Sequence, residues 1–214
     1  MPNDIDVNTQ SKALTAYLQA SSIIDFASPA ILELAALLAE GSEDISATQG
    51  RDYVIAKRCF EWVRDNIRHS WDFQSNPVTC MASSVLKHTT GYCYSKSHLL
   101  AALLRANNIP AGFCYQRLSL EDNGAPYCLH GLNAVYLQDY GWYRIDPRGN
   151  KDGVDAQFVP PVEQLAFPTD GKLEADFPEI WPEPLPVVVQ VLTSFTDIKE
   201  AYDNLPDIPL AFSV

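Results

Sequence analysis

The sequence predicts an α+β fold. In the first half, apolar residues recur at helical steps of three and four. From Gly112 onward the character turns aromatic and β-branched, in short runs separated by turn residues. Helices followed by strands, rather than alternating with them, indicate segregated layers. The strand runs lie too close together for parallel crossovers, so the sheet is expected to be antiparallel.

The elements follow in chain order. "FASPAILELAALLAEG", Phe26 to Gly41, reads as a helix. Ser28 suits the N-cap, Pro29 the first helical position, and Gly41 the position just past the end. "GRDYVIAKRCFEWVRDNIRHSW", Gly50 to Trp71, continues the pattern, with Tyr53, Ala56, Phe60, Val63 and Ile67 at helical spacing. Asn and Pro make 72–78 a loop. A helix from about Tyr94 to Asn107 is ended by Asn107, Asn108 and Pro110. "GFCYQRLSL", "LHGLNAVYL" and "GWYRID" are strands. "EDNGAP", Glu121 to Pro126, is a turn or short loop. Proline enrichment over Phe158–Pro186 predicts a surface connection with at most one short strand. "VVVQVLTSFTDIKEAYDNL" is longer than a typical strand and is read as a helix.

Composition sets limits on function. The chain has 214 residues, 47% of them hydrophobic, so it is able to build a core without disulfides. Its formal charge of -12 argues against nucleic acid or an anionic membrane as partner, since both need a basic footprint. "MPNDIDVNTQ" has no basic n-region or apolar h-region, and no apolar run spans a bilayer. Five cysteines, Cys59, Cys80, Cys93, Cys114 and Cys128, are odd in number and irregular in spacing. That is no disulfide framework, and a reduced, cytoplasmic protein is the expectation.

One cysteine stands apart. Cys93 lies where a glycine turn passes into the helix, and Leu100 and Leu104 share its stripe, which should face the core. A helix N-terminus stabilises a thiolate and offers free N–H groups to an oxyanion. Cys59 sits mid-helix and Cys114 and Cys128 sit in or beside strands, so those three read as packing. Cys80 suits a helix cap and carries no other signal.

A cysteine nucleophile needs a base, and the base an orienting group. Of the four histidines, His98 is on the wrong face of the Cys93 helix, His69 ends the preceding helix, and His88 lies in a polar turn. His130 opens a strand and shares a face with Leu132, Ala134 and Tyr136. Asp146 follows 16 residues later (146 − 130), at a strand end stopped by Pro147. A hairpin centred on Gln138 places His130 and Asp146 directly opposite. A turn centred near Tyr140, favoured by Gly141, places Asp146 opposite Ala134 instead. Both registers stand open on the sequence.

These residues resemble a known family. "ASSVLKHTTGYCYSKSHLLAALLRANNIPAG", then "HGLNAVYL", then "GWYRIDPRGN", are similar to the transglutaminase-like superfamily of cysteine enzymes. The pattern is a Gly-x-Cys at a helix start, an Arg followed by Ile-Pro-Ala at its end, a strand opening with His, and a Gly-Trp…Asp-Pro strand. The resemblance covers Ala82 to about Lys151, and "VRDNIRHSWDF" is similar to the segment that often precedes it. It implies a papain-like α+β core with N-terminal helices on an antiparallel sheet. It also implies Cys93 as nucleophile, His130 as base and Asp146 as orienting group. Leu132 and Ala134 stand where many members carry an aromatic and an acidic residue. "PRGNK" follows Asp146 in place of the commoner Pro-Thr. These departures bear on the substrate and point to a bacterial-type branch. No Asp/Asn-rich calcium loop is visible.

The expectation is one domain over 1–214: a helical part (1–75), a catalytic core (76–160) and a Pro-rich extension (161–214). Its chemistry is hydrolysis of a peptide or carboxamide bond through a thioester, on a peptide or protein substrate, with no cofactor and no metal. Acyl transfer to an amine would use the same three residues. A binding domain without turnover is a rival, against which the intact Cys93, His130 and Asp146 count. A zinc site from Cys128 and His130 is another, lacking the usual Cys-x-x-Cys companion. Gln74 and Asn76 are candidates for the second oxyanion donor.

Overall fold

The computed structural model describes residues 13–42, 44–45, 50–121, 124–169 and 173–210. The N-terminal "MPNDIDVNTQ" lies outside them, as do Asp122 and Asn123 of the Glu121–Pro126 turn. A 3-10 turn, Ala16–Leu18, precedes α1 (Pro29–Ala39) and α2 (Arg51–Asn66). The two-residue strand β1 (Arg68–His69), α3 (Ala82–His88), β2 (Thr90–Gly91) and α4 (Cys93–Ala106) follow. The sheet strands are β3 (Ala111–Ser119), β4 (Tyr127–Leu137) and β5 (Gly141–Ile145). The hairpin β6 (Gln157–Val159) and β7 (Val162–Gln164), then β8 (Ala175–Asp176), α5 (Pro186–Ser194) and α6 (Ile198–Tyr202), complete the order. The fold is α+β, helices packed against a curled antiparallel sheet of order β5-β4-β3-β8.

The sequence reading of α1 matches its local chemistry. Pro29 occupies its first turn, and Gly41 takes a left-handed φ of 71° just past its end, where a Cβ would be strained. Ile31 and Ala35 are its buried face.

The second helix is shorter than its periodicity suggests. It stops at Asn66 and Ile67 is extended, although Ile67 stays in the core. The backbone is captured there by a parallel pairing of β1 with β2, Arg68 N donating to Thr89 O and Ser70 N to Gly91 O. So His69 lies on a strand, not at a helix end, and one short pair in this largely antiparallel protein is parallel. His88 ends α3 rather than lying in a turn, and Thr89 after it is left-handed.

α4 starts one residue before its expected start, at Cys93 itself. It presents no single inward stripe: Cys93 through Arg105 are all buried. Residues of α1, α2, α3 and the sheet surround it, so even its polar residues are internal. Lys96 donates to Arg64 O (3.1 Å) and Ile67 O, satisfying carbonyls at the end of α2. Arg105 donates to Ala111 O and Gln19 O. His98 Nδ1 donates to Cys80 O at 2.8 Å.

β3 and β4 pair over nine residues, from Ala111–Val135 to Ser119–Tyr127. Alternation divides the faces of β4. Leu129, Val135 and Leu137 join the main core, while Leu132 and Ala134 form a second cluster with Cys114 under Trp142, Leu165 and Ile180. The tail holds more strand than expected, with β7 and β8 both inside it, because β8 completes the sheet edge at β3. The run Val187–Leu205 forms two short helices. Phe195 is extended between them, and the Asp197 side chain caps α6 by accepting from Lys199 N.

Candidate active site

Cys93 is the first residue of α4, so its N–H precedes the first intrahelical bond, Lys96 N to Tyr92 O. Its buried side chain faces the sheet. Gly131 N approaches Cys93 Sγ at 3.5 Å, directly after His130. That approach requires glycine at 131, because a Cβ there would stand 2.7 Å from Tyr94 Cδ1. Tyr94 also ties α4 to β4 through a hydrogen bond from its hydroxyl to Leu129 O.

The β4–β5 register lies between the two that the sequence leaves open. Leu137 faces Gly141 and Asn133 faces Ile145, so Asp146 comes level with Leu132 one step past the ladder. The loop is Gln138-Asp139-Tyr140, closed by Tyr140 N to Leu137 O, with Gly141 left-handed at φ 71°. His130 and Asp146 are therefore diagonal neighbours on one face, within side-chain reach. His130 Nε2 and Asp146 Oδ2 are 2.7 Å apart. Asp146 is wholly buried, and accepts also from Arg148 N (3.0 Å) and Ala166 N (3.2 Å).

The charges follow from these contacts. Burial opposes ionisation of His130, but the Asp146 carboxylate and the Cys93 sulfur outweigh it and raise the imidazole to about 10. Burial likewise opposes the Asp146 carboxylate, and His130 with the two backbone donors holds its pKa below the usual range. The Cys93 sulfur is near enough to the His130 ring to favour its charged form. With Nε2 committed to Asp146, Nδ1 is the nitrogen left for it. Burial pushes the thiols of Cys59, Cys114 and Cys128 up to about 12 and Cys80 to about 11. All five cysteines are free.

Cys93 and His130 open on a cleft of about 490 Å³. Tyr92, Tyr94, Phe167, Trp71 and Tyr202 supply its aromatic walls, the last two stacked at 3.6 Å. Phe167 meets the His130 ring edge-on. Charged groups at the rim escaped the sequence reading. Asp72 takes Arg148 through both oxygens (2.7 and 3.1 Å) and Lys151 at 2.8 Å. Hydrogen bonding to these cations lowers the Asp72 pKa to about 2 against the cost of burial. Burial pushes Lys96 down to about 7, against the pull of Asp146. His69 also lines the cleft.

Gln74 and Asn76 are elsewhere. Gln74 Nε2 donates to Trp71 O, and Asn76 is held between Asp197 Oδ2 and Ile198 N. Neither lines the cleft. Among the described residues, no three His, Cys, Asp or Glu side chains converge as a metal site would, so Cys128 and His130 gather no further ligands.

A helix that begins on cysteine, packed against an antiparallel sheet that presents a His–Asp pair to its sulfur, defines the papain-like α+β class. The transglutaminase-like superfamily core matches residues 40–147, just over half of the chain, and the chain belongs to that superfamily. Members of this superfamily are cysteine-dependent enzymes. Among solved structures, a candidate cysteine protease from Cytophaga hutchinsonii is similar at 18% identity and a TM-score of 0.44, over 83% of this chain and 53% of that one. A TGase is similar at 16% identity and a TM-score of 0.39, over 75% of this chain and 42% of that one. The chain thus spans about half the length of those two proteins. No match was found among curated proteins. No described helix is long and apolar enough to cross a membrane.

Proposed function

We propose that the protein is a cysteine-dependent hydrolase of peptide or carboxamide bonds, with Cys93, His130 and Asp146 as its catalytic residues. The observation that carries this reading is His130 bound to Asp146 Oδ2 and lining one cleft with Cys93 at the start of α4, where Gly131 N approaches Sγ at 3.5 Å. In this reading Cys93 and His130 rest as thiolate and imidazolium. The high affinity of His130 for a proton suits that state, and Asp146 fixes the ring through Nε2. The sulfur attacks the carbonyl carbon, and the Cys93 N–H holds the oxygen. His130 then protonates the leaving amine and the thioester forms. Water, deprotonated by His130, resolves it. Transfer to an amine uses the same residues and differs only in what enters at this last step.

The test is iodoacetamide labelling of each cysteine against pH, read by mass spectrometry, together with release of p-nitrophenolate from p-nitrophenyl acetate. Cys93 should label faster than Cys59 and Cys114, and Cys93→Ala and His130→Ala should each abolish ester turnover. Equal labelling of the three cysteines, with His130→Ala silent, would remove the enzyme reading. An added primary amine that accelerates turnover and becomes acylated would move the assignment from hydrolysis to transfer.

A further inference from the structure

One histidine of the cleft has no part in that mechanism. His69 is held on β1, paired beside Gly91, two residues before Cys93. Its side chain is nine-tenths buried and meets the Tyr92 ring edge-on, at 89° and 5.9 Å. It lines the cleft with Cys93 and His130. A short strand paired with the approach to α4 therefore fixes its ring against the segment that carries the sulfur.

The surroundings of this ring select its tautomer. Nδ1 is buried and has no hydrogen-bond partner among the described residues. The nearest acid, Asp72 Oδ2, is 3.5 Å away and out of line for a hydrogen bond, its oxygens taken by Arg148 and Lys151. Burial is the main force against charge on His69, and the Arg148 charge adds to it more than Asp72 relieves it, so its pKa lies well below that of a free imidazole. Lys96 and His130 act in the same direction. An N–H on Nδ1 would be buried with no acceptor in line, so the neutral ring carries its proton on Nε2. The ring is then a neutral N–H donor at the cleft that Cys93 and His130 share. Gln74 and Asn76 are committed elsewhere, so neither supplies such a donor.

We infer that His69 is the second oxyanion donor, giving its Nε2–H to the oxygen of the acyl group that Cys93 attacks; this rests on the acyl chemistry proposed above. As the thiolate forms its bond to the carbonyl carbon, the C=O π pair moves onto oxygen. The Cys93 N–H and the His69 N–H hold that oxygen without transferring a proton. The pair returns to carbon when the leaving group departs with the proton of His130. A neutral imidazole suits this task, since it remains a donor after each turnover and competes for no proton with His130.

The test compares two reactions at one sulfur. Acylation by p-nitrophenyl acetate creates an oxyanion, and alkylation by iodoacetamide is a displacement that creates none. The readout is the ratio of the two rate constants at Cys93 in wild type, His69→Phe and His69→Gln. The ratio should fall on the order of 100-fold in His69→Phe. Glutamine, which retains a neutral N–H, should keep it within about tenfold of wild type. A variant that merely disturbs packing slows both reactions and leaves the ratio unchanged, and an unchanged ratio in His69→Phe overturns the inference. Wild-type protein that Cys93→Ala shows not to be acylated at Cys93 at all removes the parent reading instead, and this one with it.

Discussion

Asp146 lies diagonally across the hairpin from His130, one step beyond the last ladder pair, and still brings Oδ2 to 2.7 Å from His130 Nε2. The carboxylate manages this because it has left the ladder. Pro147 ends the strand, and Arg148 N and Ala166 N fasten the free end of the side chain. Asp146→Asn keeps the shape and removes the charge. Turnover of p-nitrophenyl acetate should fall by about 10³- to 10⁴-fold. The His130 ring, followed by NMR against pH, should titrate well below its wild-type value of about 10. An unmoved titration would mean that Asp146 does not set the charge of this ring.

The same pair makes stability depend on pH in a defined direction. His130 is raised on folding, from about 6.5 in an unfolded chain to about 10. Its contribution is whole below pH of about 6.5 and is lost as pH rises through the folded value. Asp146 is lowered, so its contribution is present above about 3.9 and is lost as pH falls through its folded value. Burial depresses His69 and His98, which removes stability below about 6.5 and would blur the total. The difference between wild type and His130→Gln isolates one group. The gap between their urea midpoints should be widest near pH 5 to 6 and close toward pH 10. A gap constant over that range would reject the coupling.

Much of this site is legible in the sequence, for reasons tied to local geometry. Gly-x-Cys before a helical run marks a helix start, and Asp before Pro marks a strand end. Alternation puts His130 and Asp146 on one face in either register. The register itself turns on Gly141 adopting a left-handed conformation after a type I turn, one of several turns the same residues permit. His69 is hidden because Tyr53 to Ile67 keep helical spacing up to its doorstep. Only a long-range pairing with Gly91 stops the helix. Lys96 is hidden for a related reason. A lysine on a helix reads as solvated, and here the end of α2 covers it.

Gly131 offers a test of how closely α4 must approach the sheet. A Cβ at 131 would stand 2.7 Å from Tyr94 Cδ1 and 3.3 Å from Tyr94 Cα. Backbone is on one side and a ring pinned to Leu129 O is on the other, so neither yields easily. Gly131→Ala should lower stability by about 1–3 kcal/mol, as overpacking does. It should also slow iodoacetamide labelling of Cys93, since the Gly131 N–H that approaches Sγ moves with the strand. A stable Gly131→Ala with unchanged labelling would show that the helix start does not depend on this contact.

The C-terminal segment forms one wall of the cleft, and Tyr92 holds it there. The Tyr92 hydroxyl donates to Ile198 O at 2.5 Å, Asn76 Oδ1 accepts from Ile198 N, and Val78 N donates to Thr196 O. These three bonds fix the start of α6, whose Tyr202 stacks on Trp71 and lines the cleft together with Leu205. Tyr92→Phe leaves the ring packed and removes one buried hydrogen bond, at a cost of about 0.5–1.5 kcal/mol. Because α6 is only five residues long, Ile198–Tyr202, the cost should appear locally. Amide exchange over 196–203 should quicken well before global unfolding, while the His130 titration stays at its wild-type position. A wall held mainly by the Trp71–Tyr202 stack predicts the opposite: exchange unchanged in Tyr92→Phe and quickened in Tyr202→Ala.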